Sequence, residues 1–511
     1  MADDPVFDLF IIGGGINGAG VARDAAGRGL KVGLAEAGDL GGATSSASTK
    51  LFHGGLRYLE FFEFGLVKSA LKEREVLLKA MPHISWPMRF VLPYAPDMRF
   101  DSDTPTSRLL RLTMPWIEKG RRPAWLVRLG LFLYDNLGGR EILPGTKTLD
   151  LTRAPEGAPL KDRFKMAYEY SDAWVEDSRL VMLNARDAEA RGATILTRCR
   201  VTEAARDGDT WRIETEQGTF RAKALVNAGG PWVANILTGV MRQNSQHSIR
   251  LVRGSHIVTK RLYDHDKCYF FQGTDGRIIF AIPYERDFTL IGTTDAEHSE
   301  PDVKPAITDE ERDYLCAFAS EYFKKPVTPD DVVWTYSGVR PLYDDGASSA
   351  TAATRDYVLA LDENGPPVLS VFGGKITTYR KLAEQALAKM GLGEAWTAGV
   401  PLPGGDFAVA DVGKLTDKLA QDYPFLDAKW AGRLIRAYGT EAWDVLGDAR
   451  TSGDLGQDFG ATLTAAELKW MISREYAREG ADALWRRTKL GLRLTEKQRA
   501  AVDTWMKEQS A

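Results

Sequence analysis

The chain has 511 residues, 44% of them hydrophobic and 27% charged, with a formal net charge of -4. That composition is globular, long enough for about two to four domains with ample core, and excludes a disordered chain. The charge provides no global field for nucleic acid, so any anionic ligand must be held by a local cluster of cations. Three cysteines, Cys199, Cys268 and Cys316, stand far apart and form no C-x-x-C. They imply neither a disulfide framework nor a zinc site, and a reducing compartment is expected. The start, Met1-Ala2-Asp3-Asp4-Pro5, reads as neither a secretory signal nor a transit peptide. No run of about 18 apolar residues is available to span a bilayer.

Phe7–Ile12 predicts a strand, Asn17–Gly29 a helix and Lys31–Glu36 a second strand. Between the first two, Gly13, Gly15 and Gly18 fit G-x-G-x-x-G. The first glycine permits the tight turn, the second lets backbone approach a pyrophosphate, and the third allows close packing of helix on strand. The pyrophosphate then meets free N–H groups at the helix start, around Ile16 and Asn17. Glu36, 23 positions after Gly13, is placed to accept ribose hydroxyls, with Ala37 beside it. The motif predicts a dinucleotide but does not separate FAD from NAD. The next stretch, Leu40–Tyr58, is rich in small and hydroxylated residues, including Thr44, Ser45, Ser46 and Ser48, with Lys50, His53, Gly54-Gly55 and Arg57 embedded. Such a segment suits an extended FAD; the alternative is an ordinary Ser/Gly loop.

Further along, Ala185–Gly192 reads as a helix end, and Ala193–Leu196 and Val201–Ala204 as strands. Trp211–Thr215 with Phe220 reads as a hairpin, and Ala224–Asn227 as a strand running into Ala228, Gly229, Gly230, Pro231 and Trp232. These segments form a second half of a dinucleotide fold. Ser255–Thr259, Tyr269–Gln272, Arg277–Ile282 and Phe288–Thr293 read as an antiparallel sheet, with Asp275-Gly276 as a hairpin turn. Val368–Phe372 leads into Gly373-Gly374-Lys375 and a helix through Met390, a second strand–glycine–helix unit. Pro401–Gly405 marks a linker. The helical remainder carries two capping boxes, Thr464 with Glu467 and Thr495 with Gln498.

The GGGINGAG motif and the segment from Thr44 to Glu60 resemble the aerobic, FAD-dependent glycerol-3-phosphate dehydrogenases, as do Arg253–Val258, Ile291–Asp295, Trp334–Pro341, Phe372–Arg380 and Leu484–Thr488. Departures are mild: Thr49 and Phe52 stand where Ser and Ile are usual, Asn227–Gly230 replaces a usual A-T-G, and Asp97–Arg122 is long. The resemblance implies an α/β fold with a Rossmann-like FAD-binding domain, an antiparallel β substrate-cap domain and a C-terminal helical domain. The expected divisions are 1–90, 171–245 and 336–400 for the FAD-binding parts, 91–170 for a partly helical insertion, 246–335 for the substrate sheet and 401–511 for the helical domain. It implies oxidation of sn-glycerol 3-phosphate to dihydroxyacetone phosphate, with hydride passing from C2 to FAD and electrons to a membrane quinone. An oxidase using oxygen and an amine or amino-acid oxidase are the alternatives.

By the same resemblance Arg57, Tyr58, Arg340 and Lys375 bind the substrate; surface or interdomain ion pairs are the alternative for the cations. Val201, Gly338, Ile376 and Thr377 join the cofactor set. Among six histidines, His53, His83, His247, His256, His265 and His298, His256 is favoured as the base, because it opens a sheet strand and imidazole titrates near neutrality. A wall histidine, Arg340 or a bound water are the alternatives. His53 is expected against the flavin. From Thr104 to Asp135, six cations (Arg108, Arg111, Lys119, Arg121, Arg122, Arg128) face two acids (Glu118, Asp135), interleaved with Trp116, Trp125, Leu126, Leu129, Leu131, Phe132 and Leu133. That pattern suits an interfacial helix on anionic lipid, or a core helix with a solvated basic face. A peripheral protein at the cytoplasmic face of the inner membrane is expected, possible as a homo-oligomer.

Overall fold

A computed structural model describes residues 6–98, 104–114, 122–244, 247–273, 276–344 and 357–510. The strand Phe7–Ile12 is almost wholly apolar because it lies inside a sheet, parallel to Val32–Ala35 on one side and to Gly218–Asn227 on the other. Parallel strands covered on both faces carry continuous apolar runs. Val368–Phe372 and Thr194–Leu196 extend the parallel core, and Val358–Asp362 closes one edge antiparallel. The helix Ile16–Gly27 packs between Asp177–Ala190 and Tyr379–Lys389. Residues 220 and 224–227, read from sequence as separate pieces, belong to one ten-residue strand, Gly218–Asn227, paired with Thr210–Thr215.

The second sheet has ten strands and is mixed. At one end of it lies the long antiparallel pair Ile249–Lys260 and Val332–Tyr343. Ser85–Tyr94 and Met166–Val175, whose strand character sequence reading missed, join it as another antiparallel pair. The segment between them also holds the helices Pro105–Thr113 and Ala124–Leu137. Asp275 of the expected hairpin lies outside the described residues, but the strands flanking it pair as expected.

The C-terminal helices enclose their own apolar core. Thr495 and Gln498 form the expected capping box. Thr464 and Glu467 do not, because the Glu467 carboxylate is drawn into a bidentate pair with Arg433 and accepts from Tyr438. A charge–charge partner outbids a single backbone N–H.

Ion pairs join this helical domain to the cofactor-binding sheet. Arg487, 1% exposed, donates from Nη1 and Nη2 to the two Asp39 oxygens at 2.6 and 2.7 Å, and Arg486 Nε reaches the same carboxylate at 2.5 Å. Removing one partner of a buried pair strands the other charge. Asp39→Asn is predicted to cost about 3–5 kcal/mol, read as a lowered denaturation midpoint; a loss under about 1 kcal/mol, the worth of an exposed pair, would refute the assignment.

Candidate active site and cofactor cradle

A continuous cavity of about 920 Å³ runs from the carboxyl end of the first sheet to the face of the second. One end is built by the glycine turn. Gly13 has φ +107°, and a Cβ there would lie 2.6 Å from the Ala228 carbonyl oxygen, so only glycine allows this approach. Ser45 Oγ accepts from Ile16 N at 3.0 Å at the helix start. Glu36 accepts from Gly14 N at 2.6 Å and from Gly38 N at 2.8 Å. Burial raises its carboxyl above the usual range, opposed by those two donors. Asn17 donates to the Gly373 carbonyl, while its buried Oδ1 has no partner among the described residues. An open glycine cradle, a polar atom awaiting a donor and a carboxylate at the second strand end fit the adenosine and pyrophosphate of a dinucleotide.

The other end is a ladder face of the second sheet. Three consecutive same-face rungs pair Val252 with Arg340, Gly254 with Gly338, and His256 with Tyr336. The middle rung has no side chains, and that space is used. A Cβ at Gly254 would lie 2.0 Å from Arg340 Nη2, and one at Gly338 would lie 2.6 Å from Ala47 Cβ. The guanidinium therefore folds back over Gly254. It is held there by an ion pair to Asp295 and by bonds from Nη2 to Thr293 Oγ1 at 3.1 Å and the Thr294 carbonyl at 2.8 Å.

His256 is buried and stacked on Tyr336, with ring centroids 4.6 Å apart and planes 13° apart. Burial first, then the positive charges of Arg340 and Lys50, hold its imidazole well below the ordinary histidine value. It is neutral near pH 7 and keeps a free lone pair. Lys375 Nζ lies 4.3 Å from the centroid of the Tyr58 ring, a cation–π contact.

Most expected residues line this cavity: Gly13, Gly15, Ile16, Asn17, Glu36, Ala37, Thr44, Ser45, Ser48, His53, Gly55, Arg57, Tyr58, Val201, Ala228, Gly229, Trp232, His256, Gly338, Arg340, Gly373, Gly374, Lys375, Ile376 and Thr377. Four do not. Gly18 serves packing, since a Cβ there would lie 1.9 Å from the Gly13 carbonyl oxygen. Ser46 turns back to the Ala43 carbonyl at 3.3 Å. Gly54 points its N–H to Tyr134 Oη at 2.7 Å and to Asp172. Lys50 is buried beneath the site in an ion pair with Asp177 at 2.7 Å. Sequence reading missed Asp177, Asp295 and Tyr336; Asp295 and Tyr336 sit inside segments already singled out, but no local pattern shows which strands meet. Of the remaining histidines, His247, His265 and His298 bond to Tyr343, Tyr269 and the Val303 carbonyl, and His83 is buried beside Phe407.

Residues 8–380 match the family described as FAD dependent oxidoreductase, and residues 395–509 match the C-terminal domain of alpha-glycerophosphate oxidase. A D-erythritol 1-phosphate dehydrogenase of Brucella abortus (strain 2308) is 48% identical over 99% of this chain and 98% of its own. The aerobic glycerol-3-phosphate dehydrogenase of Escherichia coli (strain K12) is 47% identical over 98% of this chain and 97% of its own. Among solved structures, the glycerol-3-phosphate dehydrogenase from Bacillus halodurans complexed with FAD superposes with a TM-score of 0.71 at 27% identity, covering 99% of this chain and 91% of that one. The α/β fold, the glycine cradle and these matches agree: the chain belongs to the FAD-dependent oxidoreductases, has FAD as its cofactor, and carries the C-terminal domain of the alpha-glycerophosphate oxidases.

Proposed function

We propose that the protein oxidises the secondary alcohol of sn-glycerol 3-phosphate to the ketone of dihydroxyacetone phosphate. The observation that carries this reading is the convergence in one cavity of a neutral histidine, His256, with three cations, Arg57, Arg340 and Lys375. Bound FAD supplies the hydride acceptor. Arg340, oriented by Asp295, and Lys375, set against Tyr58, hold the phosphate dianion. His256 takes the hydroxyl proton. A bound phosphate compensates the positive charge beside His256 and so raises its basicity when substrate is present. Phe270, Ile278 and Phe280 give the cavity an apolar wall that limits water. An amine oxidase has no use for three cations here.

A second substrate reading rests on the relative that is a D-erythritol 1-phosphate dehydrogenase. Both substrates present a phosphate and a secondary alcohol to the same groups. Anaerobic titration of the flavin spectrum with each phosphate separates the readings: bleaching at lower concentration of glycerol 3-phosphate supports the first, and bleaching by the four-carbon phosphate alone overturns it.

We assign a membrane quinone as the final acceptor and a peripheral position at the cytoplasmic face of the membrane. No helix among the described residues is long and apolar enough to cross a bilayer. The helix Ala124–Leu137 exposes Trp125, Leu129 and Phe132, 49%, 46% and 58% accessible, spaced on one face. Phe62, Phe64 and Leu112 are exposed on neighbouring segments. The basic residues contribute less than their number implies. Arg122 pairs with Glu60 at 2.7 Å, Arg128 bonds Thr146, and Trp116, Glu118, Lys119 and Arg121 lie outside the described residues.

Three outcomes are expected. Arg340→Ala or Lys375→Ala should cost roughly 2–5 kcal/mol with glycerol 3-phosphate and far less with unphosphorylated glycerol; equal losses on both substrates would move these residues out of phosphate binding. His256→Asn should slow flavin reduction about 10²–10⁴-fold at normal FAD content, and an unchanged rate would remove it as base. Replacing Trp125, Leu129 and Phe132 together by Ser should abolish flotation with anionic vesicles and quinone-dependent turnover while sparing flavin reduction by soluble substrate; flotation equal to the native protein would place the contact elsewhere.

A further inference from the structure

The surroundings of His256 single out a residue that the reading above leaves without a role. The imidazole is confined on both faces. Tyr336 stacks on one, and the other lies over Gly292, where an added Cβ would come within 2.1 Å of His256 Cδ2. The ring plane is therefore fixed, and only its edge remains for polar contact. On that edge Nε2 lies 2.9 Å from Thr49 Oγ1, while the buried Nδ1 has no partner among the described residues. Thr49 lines the same cavity. It is one of the two positions in the signature segment that depart from the usual Ser and Ile, and the departure keeps the hydroxyl.

We infer that Thr49 is a positioning residue for His256: its hydroxyl oxygen accepts from Nε2–H and so fixes the tautomer that leaves Nδ1 bare to take the substrate's hydroxyl proton. A hydroxyl has two acceptor lone pairs, so Thr49 Oγ1 holds Nε2–H in either charge state of the ring without moving. In neutral His256 the one ring proton is on Nε2 and the lone pair is on Nδ1, the buried nitrogen with no partner among the described residues. As the substrate O–H bond breaks, its proton goes to Nδ1 and its electron pair stays on oxygen. The Nε2–H bond to Thr49 Oγ1 then becomes the stronger, because its donor is charged. Thr49 thus favours the protonated ring over the neutral one and makes His256 the better base. The other charged groups around this ring oppose that state: Lys50 on the same segment as Thr49, and Arg340 on the strand carrying Tyr336. Arg253, on the strand of His256 itself, is engaged by Glu311 at 2.8 Å.

The inference rests on His256 as base, and the test separates the two. Stopped-flow reduction of the FAD holoenzyme by glycerol 3-phosphate is measured across pH for the native protein, Thr49→Val, Thr49→Ser, His256→Asn and the double variant Thr49→Val/His256→Asn. Thr49→Val should slow reduction about ten- to a hundredfold, leave KM near native, and move the acidic limb of the profile to lower pH. Thr49→Ser should restore both rate and limb. Thr49→Val should have no further effect in the His256→Asn background, because the hydroxyl acts only through the imidazole. If His256→Asn slows reduction but Thr49→Val leaves rate and limb native, the inference fails and the base assignment stands. If Thr49→Ser is as slow as Thr49→Val, packing of the methyl group is the cause and the inference also fails. If His256→Asn leaves the rate unchanged, the base assignment fails and takes this inference with it.

Discussion

The buried ion pair between Lys50 and Asp177 holds the active end of the cavity in shape. Asp177 opens the helix Asp177–Ala190, and its other oxygen accepts from Ser48 Oγ at 2.7 Å and Ser48 N at 3.2 Å. Lys50 also donates to the Ser46 carbonyl at 3.2 Å and lies 5.2 Å from the centroid of the Tyr336 ring. One carboxylate therefore pins Ser48 and Lys50 on either side of Thr49, and through Lys50 it reaches the Tyr336 ring that stacks on His256. Lys50 has φ +61°, unusual for a residue with a side chain. The backbone bend there is maintained by interactions that over-determine it. A pair at 1% and 0% exposure is weak evidence of net stability but strong evidence of geometry, because neither charge has anywhere else to go.

How much of this was legible depended on the range of the physics. Phe7–Ile12 and Val368–Phe372 were read to the residue, since a strand buried on both faces declares itself by continuous apolar side chains ending at glycine. The glycine turn was legible because its constraints are local. The long pair Ser85–Tyr94 and Met166–Val175 was not: its strands are separated by about seventy positions and carry Arg89, Glu169, Ser171 and Asp172. Arg89 donates to Glu169 and Ser171 across the pair, and Asp172 accepts from Arg74 and Tyr134, all inside the structure, so the sequence looks like surface.

Lys50 shows the same limit within the site. Composition placed it with the cofactor because it stands among hydroxyls, yet a lysine in such a run reveals only that a charge is present. Its counter-ion is 127 positions away. Conversely, Asp295 lay in view within an already marked segment but acquired meaning only once the ladder brought it to Arg340. Glu467 was misread for a related reason: a capping pattern is a local offer, and a guanidinium arriving from another helix made a better one.

The empty glycine rung between His256 and Arg340 acts as a spacer fixed by the backbone. Same-face positions recur about every 6.6–6.8 Å along a strand, and the guanidinium leans back over Gly254 to occupy the gap. The spacing of the Arg340 and His256 positions is thus a property of sheet register rather than of rotamers. A slip of one residue would turn both groups to the opposite face together. Under the proposed reaction, a phosphate and an adjacent alcohol would be measured against the same gauge whatever the length of carbon chain beyond them, and discrimination among polyol phosphates would fall to the far wall of the cavity, formed by Phe270, Ile278 and Phe280.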